Sequence, residues 1–235
     1  MTTGGKSIYG ASVGILMLEA QFPRIPGDMG NAVTWPFPVH YKVVRDASPD
    51  RVVRNGANGL YECFLDAARE LVEDGVDGIT TNCGFLALFQ EELSSELKVP
   101  VATSSLMQVP MVERLLPPGK RVGILTISAA SLTSEHLEKA GCELDTPIAG
   151  TPEDGEFSTS ILDNSLQMDV EKAREENVAA AIRLATIHPE IGAIVLECTN
   201  MVPYAADIRQ ATGLPVFSIY NFICWFQAGL QPVKF

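Results

Sequence analysis

The chain carries an internal duplication, and this repeat constrains its fold more than any other feature of the sequence. Three pairs of identical residues are each separated by 115 positions: Ile79 and Ile194, Cys83 and Cys198, and Pro100 and Pro215. The tetrapeptide Val-Gly-Ile-Leu also occurs twice, at 13–16 and at 122–125. Self-similarity of this kind indicates two copies of one structural unit. We therefore predict two similar lobes related by a pseudo-twofold axis, with a ligand cleft between them.

Within each copy, short runs rich in β-branched residues alternate with helical patterns, which is typical of an α/β fold with parallel sheets. In the first copy we predict strands at 13–18, 39–44, 78–82 and 99–103, and helices at 60–71 and 85–97. In the second copy a strand at 193–197 ends at a cysteine, as the strand at 78–82 does. The break Pro117-Pro118-Gly119 separates the copies. The prediction is two doubly wound parallel-sheet lobes, 1–117 and 118–218.

The acidic composition narrows the classes of partner. The formal net charge of −12 argues against nucleic acid and anionic membranes, although it leaves a small anionic substrate open. The apolar run at 13–18 is too short to span a membrane, and Glu19 follows it directly. No signal peptide is recognisable, so we expect a cytoplasmic protein that acts on a small molecule.

Five cysteines are scattered along the chain with no C-x-x-C pair, a pattern that fits neither a disulfide framework nor a zinc site. The three histidines have no neighbouring ligand at metal-binding spacing, so we predict no metal. Free cysteine is among the most buried residue types. We therefore interpret Cys63, Cys142 and Cys224 as packing residues.

Cys83 and Cys198 differ from the other cysteines because each follows a predicted buried strand at the same place in its repeat. The carboxyl edge of a parallel sheet is where ligands bind. The free N–H groups of a following helix would favour the thiolate and could also hold a carboxylate. We predict that both thiols are catalytic and point into one pocket from opposite sides, with Gly84 and Thr199 beside them.

The segments around these cysteines resemble a known family. Ile79-Thr-Thr-Asn-Cys83-Gly-Phe85 and Ile194-Val-Leu-Glu-Cys198-Thr-Asn200 are similar to the two cysteine motifs of the aspartate/glutamate racemase family. Hydantoin racemases and arylmalonate decarboxylase belong to the same wider group. The resemblance covers about 13–228. It implies flavodoxin-like lobes, a homodimer, and a C-terminal helix within 219–235 that packs back on the first lobe.

The resemblance also implies a mechanism without pyridoxal phosphate, metal or any other cofactor. One cysteine thiolate removes the α-proton of a carboxylate or amide substrate, and the other cysteine delivers a proton to the opposite face. Family members contact the substrate carboxylate where Thr126 and Ser128 end a strand, although these two residues could equally cap the segment that follows. We predict further substrate contacts from Asn82, Gly84, Phe85, Thr199, Asn200 and Gln21. Within the loop 19–38, the stretch 24–38 could be a lid or a dimer contact.

The motifs depart from the family pattern at both cysteines. Amino-acid racemases of the family usually have Cys-Asn-Thr at the first site, where this chain has Cys83-Gly84-Phe85. At the second site Cys-Thr-His or Cys-Thr-Glu is usual, and here Asn200 follows Thr199. Proton transfer by two cysteines is therefore better supported than aspartate or glutamate as the substrate.

The sequence predicts a racemase or epimerase, an isomerase that inverts a carbon next to a carboxyl or carbonyl group. An amino-acid racemase of the aspartate/glutamate type is the first expectation, and a hydantoin- or allantoin-type racemase is an alternative. A decarboxylase of the arylmalonate type keeps only the second cysteine, so Cys83 counts against it. A two-lobed binding protein and a pyridoxal enzyme are further alternatives. No nucleotide-binding glycine motif and no nucleophile elbow occurs.

Overall fold

The computed structural model describes residues 4–234 and arranges them around two parallel sheets of the same topology. The first sheet contains strands β1 (Val13–Leu18), β2 (Val39–Val44), β3 (Gly78–Thr81) and β4 (Val101–Ala102). The second contains strands β5 (Arg121–Thr126), β6 (Ile148–Gly150), β7 (Ile191–Leu196) and β8 (Val216–Phe217). The strand orders are β2-β1-β3-β4 and β6-β5-β7-β8, so the predicted α/β fold with two similar lobes is confirmed. Residues 1–3 and 235, the ends of the predicted segments 1–117 and 219–235, lie outside the described residues.

The duplication extends to the register of the strands. In the first sheet Gly14 on β1 is aligned with Ile79 on β3, and in the second Gly123 on β5 is aligned with Ile194 on β7. Ile79 is in turn aligned with Val101, as Ile194 is with Val216. The residues that repeat in the sequence therefore occupy equivalent places in the two sheets.

Helices cover the sheets. In the first lobe they are α1 (Pro49–Val53), α2 (Tyr61–Asp74), α3 (Gln90–Glu96) and α4 (Val109–Glu113). The second lobe has α5 (Ser134–Ala140), α6 (Glu156–Leu162), α7 (Val170–Ile187) and α8 (Ala205–Thr212), and α9 (Ile219–Leu230) ends the chain. Short 3-10 helices lie at Ala32–Thr34, Gly84–Phe89, Ser105–Gln108 and Thr199–Tyr204. Within 4–234, no helix combines the length and the apolar character that a membrane crossing requires.

The elements after the strand ends differ from the sequence prediction. The helix expected at 85–97 begins as the 3-10 helix Gly84–Phe89 and becomes α-helical only at Gln90. The strand expected at 99–103 is reduced to Val101–Ala102. A 3-10 helix is tighter than an α-helix, and it lets the chain reverse direction within a few residues of the strand end. The backbone beside each cysteine is therefore a compact turn.

The two lobes share one core. A continuous cluster of buried apolar side chains includes Leu16 and Ile79 of the first sheet and Ile124 and Ile194 of the second. Leu106, which follows β4, belongs to the same cluster and lies between the sheets. Because the core is continuous, the lobes hold a fixed position relative to each other, and the space between their strand ends is a defined cavity.

A second cluster fixes the last helix. Val13 and Ile15 of β1 pack with Ile219, Phe222 and Ile223 of α9. Gly78 at the start of β3 faces the ring of Phe226 and the side chain of Leu230, and any larger residue there would meet both. The helix α9 therefore packs against the first sheet, although it follows the second lobe in the chain.

We predict that Ile223→Ala lowers the free energy of unfolding by about 2–5 kcal/mol, because Ile223 is fully buried and its loss leaves a cavity under α9. Urea denaturation followed by circular dichroism measures the change. The matched control is Ile187→Ala at a side chain that is 69% exposed, which should change stability by about 0.5 kcal/mol or less. Equal losses for the two variants would show that α9 is not anchored through this cluster.

Candidate active site

Both predicted cysteines line one small cavity between the two lobes. The first lobe contributes residues 82–85 and the second contributes residues 197–200, so each cysteine turn forms one side of the cavity. The remaining walls are mostly apolar and come from β1, α1 and α6, with Phe22 and Arg24 from the loop after β1. The predicted cleft between the lobes is therefore present, and it is narrow and largely closed.

The two cysteine turns are held in equivalent ways. The backbone N–H of Asn82 donates to the Leu16 carbonyl at 3.0 Å, and that of Glu197 donates to the Leu125 carbonyl at 2.8 Å. Each bond extends the sheet by one residue beyond its strand. The cysteine that follows is thereby placed at the carboxyl edge of its own sheet, facing the other lobe.

The turns also bind each other directly. The Thr199 hydroxyl donates to the Asn82 carbonyl at 2.6 Å, and the Ser105 hydroxyl donates to the Leu196 carbonyl at 2.6 Å. On the opposite side of the pseudo-twofold axis, Gly84 lies directly against the backbone carbonyl and the carboxyl group of Glu197. A β-carbon at Gly84 would collide with both, so glycine is required there by close approach.

Burial dominates the electrostatics of both thiols. It raises the pKa of Cys83 and of Cys198, and the nearby Glu197 carboxylate raises both further. The backbone N–H groups of Phe85 and Asn200 act in the opposite direction, because they donate towards the sulfur atoms. The expectation that helix N–H groups would give these thiols a low pKa is wrong, since short 3-10 turns in a closed cavity do not offset burial.

The surroundings of the two thiols are not the same. Cys198 donates from Sγ to Asn200 Oδ1 at 3.6 Å, an interaction that requires the thiol form. Cys83 has the positive charge of Arg24 nearby, which lowers its pKa relative to burial alone. Of the two thiols, Cys83 has the surroundings more favourable to a thiolate, although burial raises the pKa of both.

The positive charge comes from the loop after β1. Arg24 Nη1 donates to Asp28 Oδ1 at 2.8 Å, and the guanidinium lies 4.4 Å from the centre of the Phe22 ring. Asp28 Oδ1 also accepts from the Gly30 N–H at 2.7 Å, and its Oδ2 accepts from Asn200 Nδ2 at 2.5 Å. Arg24 is mostly buried and lines the cavity. The sequence indicates a possible lid in this loop, but Arg24 is not among the predicted site residues.

Glu197 is the other charged residue that the sequence analysis missed. It is fully buried, its Oε2 accepts from the Thr126 hydroxyl at 2.6 Å, and its Oε1 has no hydrogen-bond partner. Burial raises the pKa of Glu197 to about 8, while the Thr126 hydroxyl lowers it to a smaller extent. The available signal was its position: Glu197 is the repeat equivalent of Asn82, and an acidic residue at the end of a buried strand is unusual.

Three predicted substrate contacts lie outside the cavity lining. Gln21 is exposed, and its backbone N–H donates to Asn164 Oδ1 at 2.6 Å. Thr126 lies behind Glu197 as its hydrogen-bond donor. Ser128 lines a neighbouring cavity, and its hydroxyl oxygen accepts the N–H of Ser131 at 3.3 Å, so it stabilises a turn. Asn82, Gly84, Phe85, Thr199 and Asn200, by contrast, all line the cavity.

The other cysteines are distinct from the site. Cys63 is exposed on α2, so the interpretation of this residue as a packing residue is wrong: it lies on the outer face of an amphipathic helix. Cys142 is buried and donates to the Leu106 carbonyl at 3.5 Å, and Cys224 is partly buried. In the part of the chain that the structure describes, no three His, Cys, Asp or Glu side chains are grouped as a metal site would need.

The loop 19–38 connects three parts of the molecule. Trp35 stacks on Tyr220 of α9 with ring centres 5.8 Å apart, and its Nε1 donates to the Met29 carbonyl at 3.2 Å. Gly27 lies against Pro203 of the second lobe. The loop therefore holds Arg24 against the cavity through contacts with both lobes.

Several solved structures have the same fold as this chain. A glycine-to-cysteine variant of arylmalonate decarboxylase is similar over 94% of both chains, with a TM-score of 0.62 and 16% identity. Glutamate racemase from Bacillus anthracis gives a TM-score of 0.61 over 94% of this chain and 83% of its own, with 17% identity. Allantoin racemase from Pseudomonas fluorescens covers 93% and 90%, with a TM-score of 0.58 and 16% identity. The chain therefore has the same two-lobed α/β fold as this decarboxylase and these racemases.

Comparison of sequences identifies the family to which the chain belongs. A dimethylsulfoniopropionate lyase of Durusdinium sp. clade D is 30% identical over 220 residues, which cover 90% of this chain and 72% of the relative. Dimethylsulfoniopropionate lyase 7 of Emiliania huxleyi is 28% identical over 243 residues, with 94% and 67% covered. No protein-family model matches the chain. The chain belongs to the same family as the Durusdinium lyase.

We predict that Gly84→Ala lowers the free energy of unfolding by about 1–3 kcal/mol, because the added methyl group collides with the backbone carbonyl and the carboxyl of Glu197. Thermal and urea denaturation measure the loss. Gly229→Ala is the matched control: Gly229 is on α9 with open space around it, so alanine should be neutral or stabilise by up to about 1 kcal/mol. A Gly84→Ala variant as stable as the control would mean that the two turns can separate at no cost.

Proposed function

We propose that this protein is a lyase that removes the proton next to a carboxylate and expels a sulfide from the adjacent carbon, with dimethylsulfoniopropionate as its substrate. The observation that carries the proposal is the cavity with two facing cysteines and Arg24 in a chain related over 90% of its length to a dimethylsulfoniopropionate lyase. The chemistry uses only side chains of the chain itself.

Arg24 is the cation suited to the substrate carboxylate. A guanidinium forms strong, directional bonds to a carboxylate, and neutralising that carboxylate makes the adjacent C–H more acidic. Asp28 holds the Arg24 side chain in place from the loop. The apolar side chains of Phe22, Phe85 and Ile161 line the cavity and suit the methyl groups at the other end of the substrate.

In the proposed reaction Cys83, as the thiolate, takes the proton from the α-carbon and becomes a thiol. The electron pair of the broken C–H bond forms a double bond to the β-carbon. The bond from the β-carbon to the sulfonium sulfur breaks, and its electron pair leaves with dimethyl sulfide, so that acrylate remains. Cys198 is hydrogen-bonded as a thiol to Asn200 and takes no part in this proton removal.

Racemisation is the second candidate function, and the repeat-related positions of the two thiols favour it. In an inversion Cys83 would remove the α-proton and Cys198 would donate a proton to the opposite face, so both thiols would be required. An elimination requires only a base. The role of Cys198 therefore separates the two functions.

The deciding experiment incubates the purified protein with dimethylsulfoniopropionate in D₂O. Gas chromatography measures dimethyl sulfide, and proton NMR measures acrylate and any α-deuterium in the remaining substrate. Parallel incubations with amino acids, hydantoins and aryl-malonates measure α-exchange and decarboxylation. Release of dimethyl sulfide with an equal amount of acrylate supports the lyase. If an amino acid or a hydantoin undergoes α-exchange and inversion and no sulfide is released, the protein is a racemase and the lyase proposal is wrong.

For the cysteines, we predict that Cys83→Ser lowers kcat for sulfide release by about 100-fold or more, because serine is far too weak an acid to provide the base. Cys198→Ser should retain a substantial part of the activity. Cys142→Ala is the control: its thiol lies outside the cavity, so it should cost stability while turnover is kept. Equal and complete loss in both cavity variants would instead favour chemistry that needs two thiols.

For the loop cation, we predict that Arg24→Met raises KM for dimethylsulfoniopropionate by about 10- to 100-fold, the loss expected for a charged hydrogen bond to the carboxylate. Arg24→Lys should recover part of the affinity because it restores the charge without the fork of N–H donors. The control is Arg45→Met, which removes an arginine that is 79% exposed and paired with Glu19. If Arg24→Met bound substrate as tightly as the control, Arg24 would not be the carboxylate-binding residue.

A further inference from the structure

Glu197 has no role in the reaction proposed above, and its environment is costly. It is fully buried, and Oε1 is a buried acceptor without a donor. A buried polar atom that lacks a partner lowers stability, and the cost is larger when the group is charged. The chain nevertheless has this acid at the wall of the cavity, where the equivalent residue of the first lobe is the uncharged Asn82.

The groups around Glu197 would not compensate a negative charge on its carboxylate. On β5 the Thr126 hydroxyl donates to Oε2, and from the first lobe Gly84 and Cys83 face it. At the end of β7, Cys198 directly follows Glu197 in the sequence. Both thiols feel the Glu197 charge, and neither can neutralise it. None of the side chains bonded to Glu197 in residues 4–234 is cationic.

The other charges of the cavity are already paired. Arg24 is bound to Asp28, and Asp28 also accepts from Gly30 and Asn200. The described lining therefore presents a balanced Arg24–Asp28 pair on the loop and a single unpaired acid at the end of β7. A positively charged group of a ligand could pair with the ionised form of Glu197, while the carboxylate of the same ligand binds Arg24.

The chemistry of the walls restricts the kind of cation. The cavity lining includes apolar side chains such as Ile127, Leu162 and Phe85, which offer no hydrogen-bond acceptors. The side-chain amide oxygens of Asn82 and Asn200, which also line it, already accept from the Leu18 N–H and from the Cys198 thiol. A primary ammonium group has three N–H donors that need acceptors. An alkylated sulfonium or quaternary ammonium has none, and its methyl groups are compatible with apolar and aromatic surfaces.

We propose that Glu197 is the specificity-determining residue for the positive end of the substrate: its carboxylate pairs with an alkylated cation such as a sulfonium, and binding of that cation releases the Glu197 proton. This inference rests on the proposed function for the identity of the substrate, and it assigns the recognition of the cation to one residue. It also explains how an ionised Glu197 is tolerated beside the two thiols. The bound cation offsets the charge of Glu197 and with it the penalty that this charge places on the Cys83 thiolate.

The direction of the proton exchange follows from the environment of Glu197. Burial raises its pKa to about 8, so near neutral pH the carboxyl of the free protein holds its proton. A cation bound beside it lowers the pKa again, so the proton is released as the ligand binds. At pH values above the pKa of the free protein, the proton is already gone and binding releases none.

The test compares two ligands on the wild-type protein. The first is the trimethylammonio analogue of dimethylsulfoniopropionate, whose amine is a poorer leaving group than a sulfide. The second is its neutral isostere, in which carbon replaces nitrogen. Isothermal titration calorimetry in buffers of different ionisation enthalpy gives both the Kd and the number of protons released. We expect the cation to bind about 10-fold tighter or more, with a proton released, and the isostere to release none.

Two variants assign the effect to Glu197. Glu197→Gln keeps an acceptor for Thr126 and should abolish both the preference for the cation and the proton release. Thr126→Val keeps the acid but removes the hydrogen bond that stabilises its charged form, so the pH midpoint of proton release should move upwards. A purely structural role of Glu197 would not produce that shift. The control is Glu153→Gln, which removes the same charge from an exposed residue that does not line this cavity.

The outcomes separate this inference from the proposed function. Sulfide release by a wild-type protein that binds the cation and the isostere equally would overturn the inference and leave the lyase standing. If the protein prefers the cation and releases a proton but forms no sulfide from dimethylsulfoniopropionate, the inference stands and the lyase is overturned. Binding of neither ligand, or full cation preference in Glu197→Gln, would also overturn the assignment to Glu197.

Discussion

The direct packing of the two cysteine turns across the pseudo-twofold axis is the constraint on which the rest of the structure depends. Glu197 can approach the first lobe only because Gly84 has no β-carbon, and Thr199 binds the carbonyl of Asn82 in return. This contact brings the carboxyl edges of two parallel sheets together. The cavity is consequently small and closed, and both thiols are buried.

Because both thiols are buried, nearby charges strongly affect whether they ionise. In a closed cavity the thiols resist ionisation, and the carboxylate of Glu197 increases that resistance. A charged ligand would interact strongly with these groups, because a charge inside low-dielectric walls is poorly screened. In the proposed reaction, substrate recognition and activation of the base are therefore coupled through the same few groups.

The fold alone does not decide the reaction. Structures with the same two lobes include a decarboxylase and racemases that share only 16% or 17% identity with this chain. Function depends on the residues that line the site, while many functions share one scaffold. Here the apolar Phe85 follows the first cysteine turn, and Arg24 enters from the long loop after β1. These residues set the shape and charge of the cavity in this chain.

The sequence by itself determined the two-lobed α/β architecture and the positions of Cys83 and Cys198, because strand ends and repeats are local patterns of apolar residues. The tertiary structure decided the rest. Asp28 and Asn200 are 172 residues apart, yet their contact helps to fix Arg24 at the cavity. The burial of a residue, the pairing of its charge and the pKa of a thiol all depend on neighbouring residues from both lobes. No local pattern contains those distances, which is why Arg24 and Glu197 were found only in three dimensions.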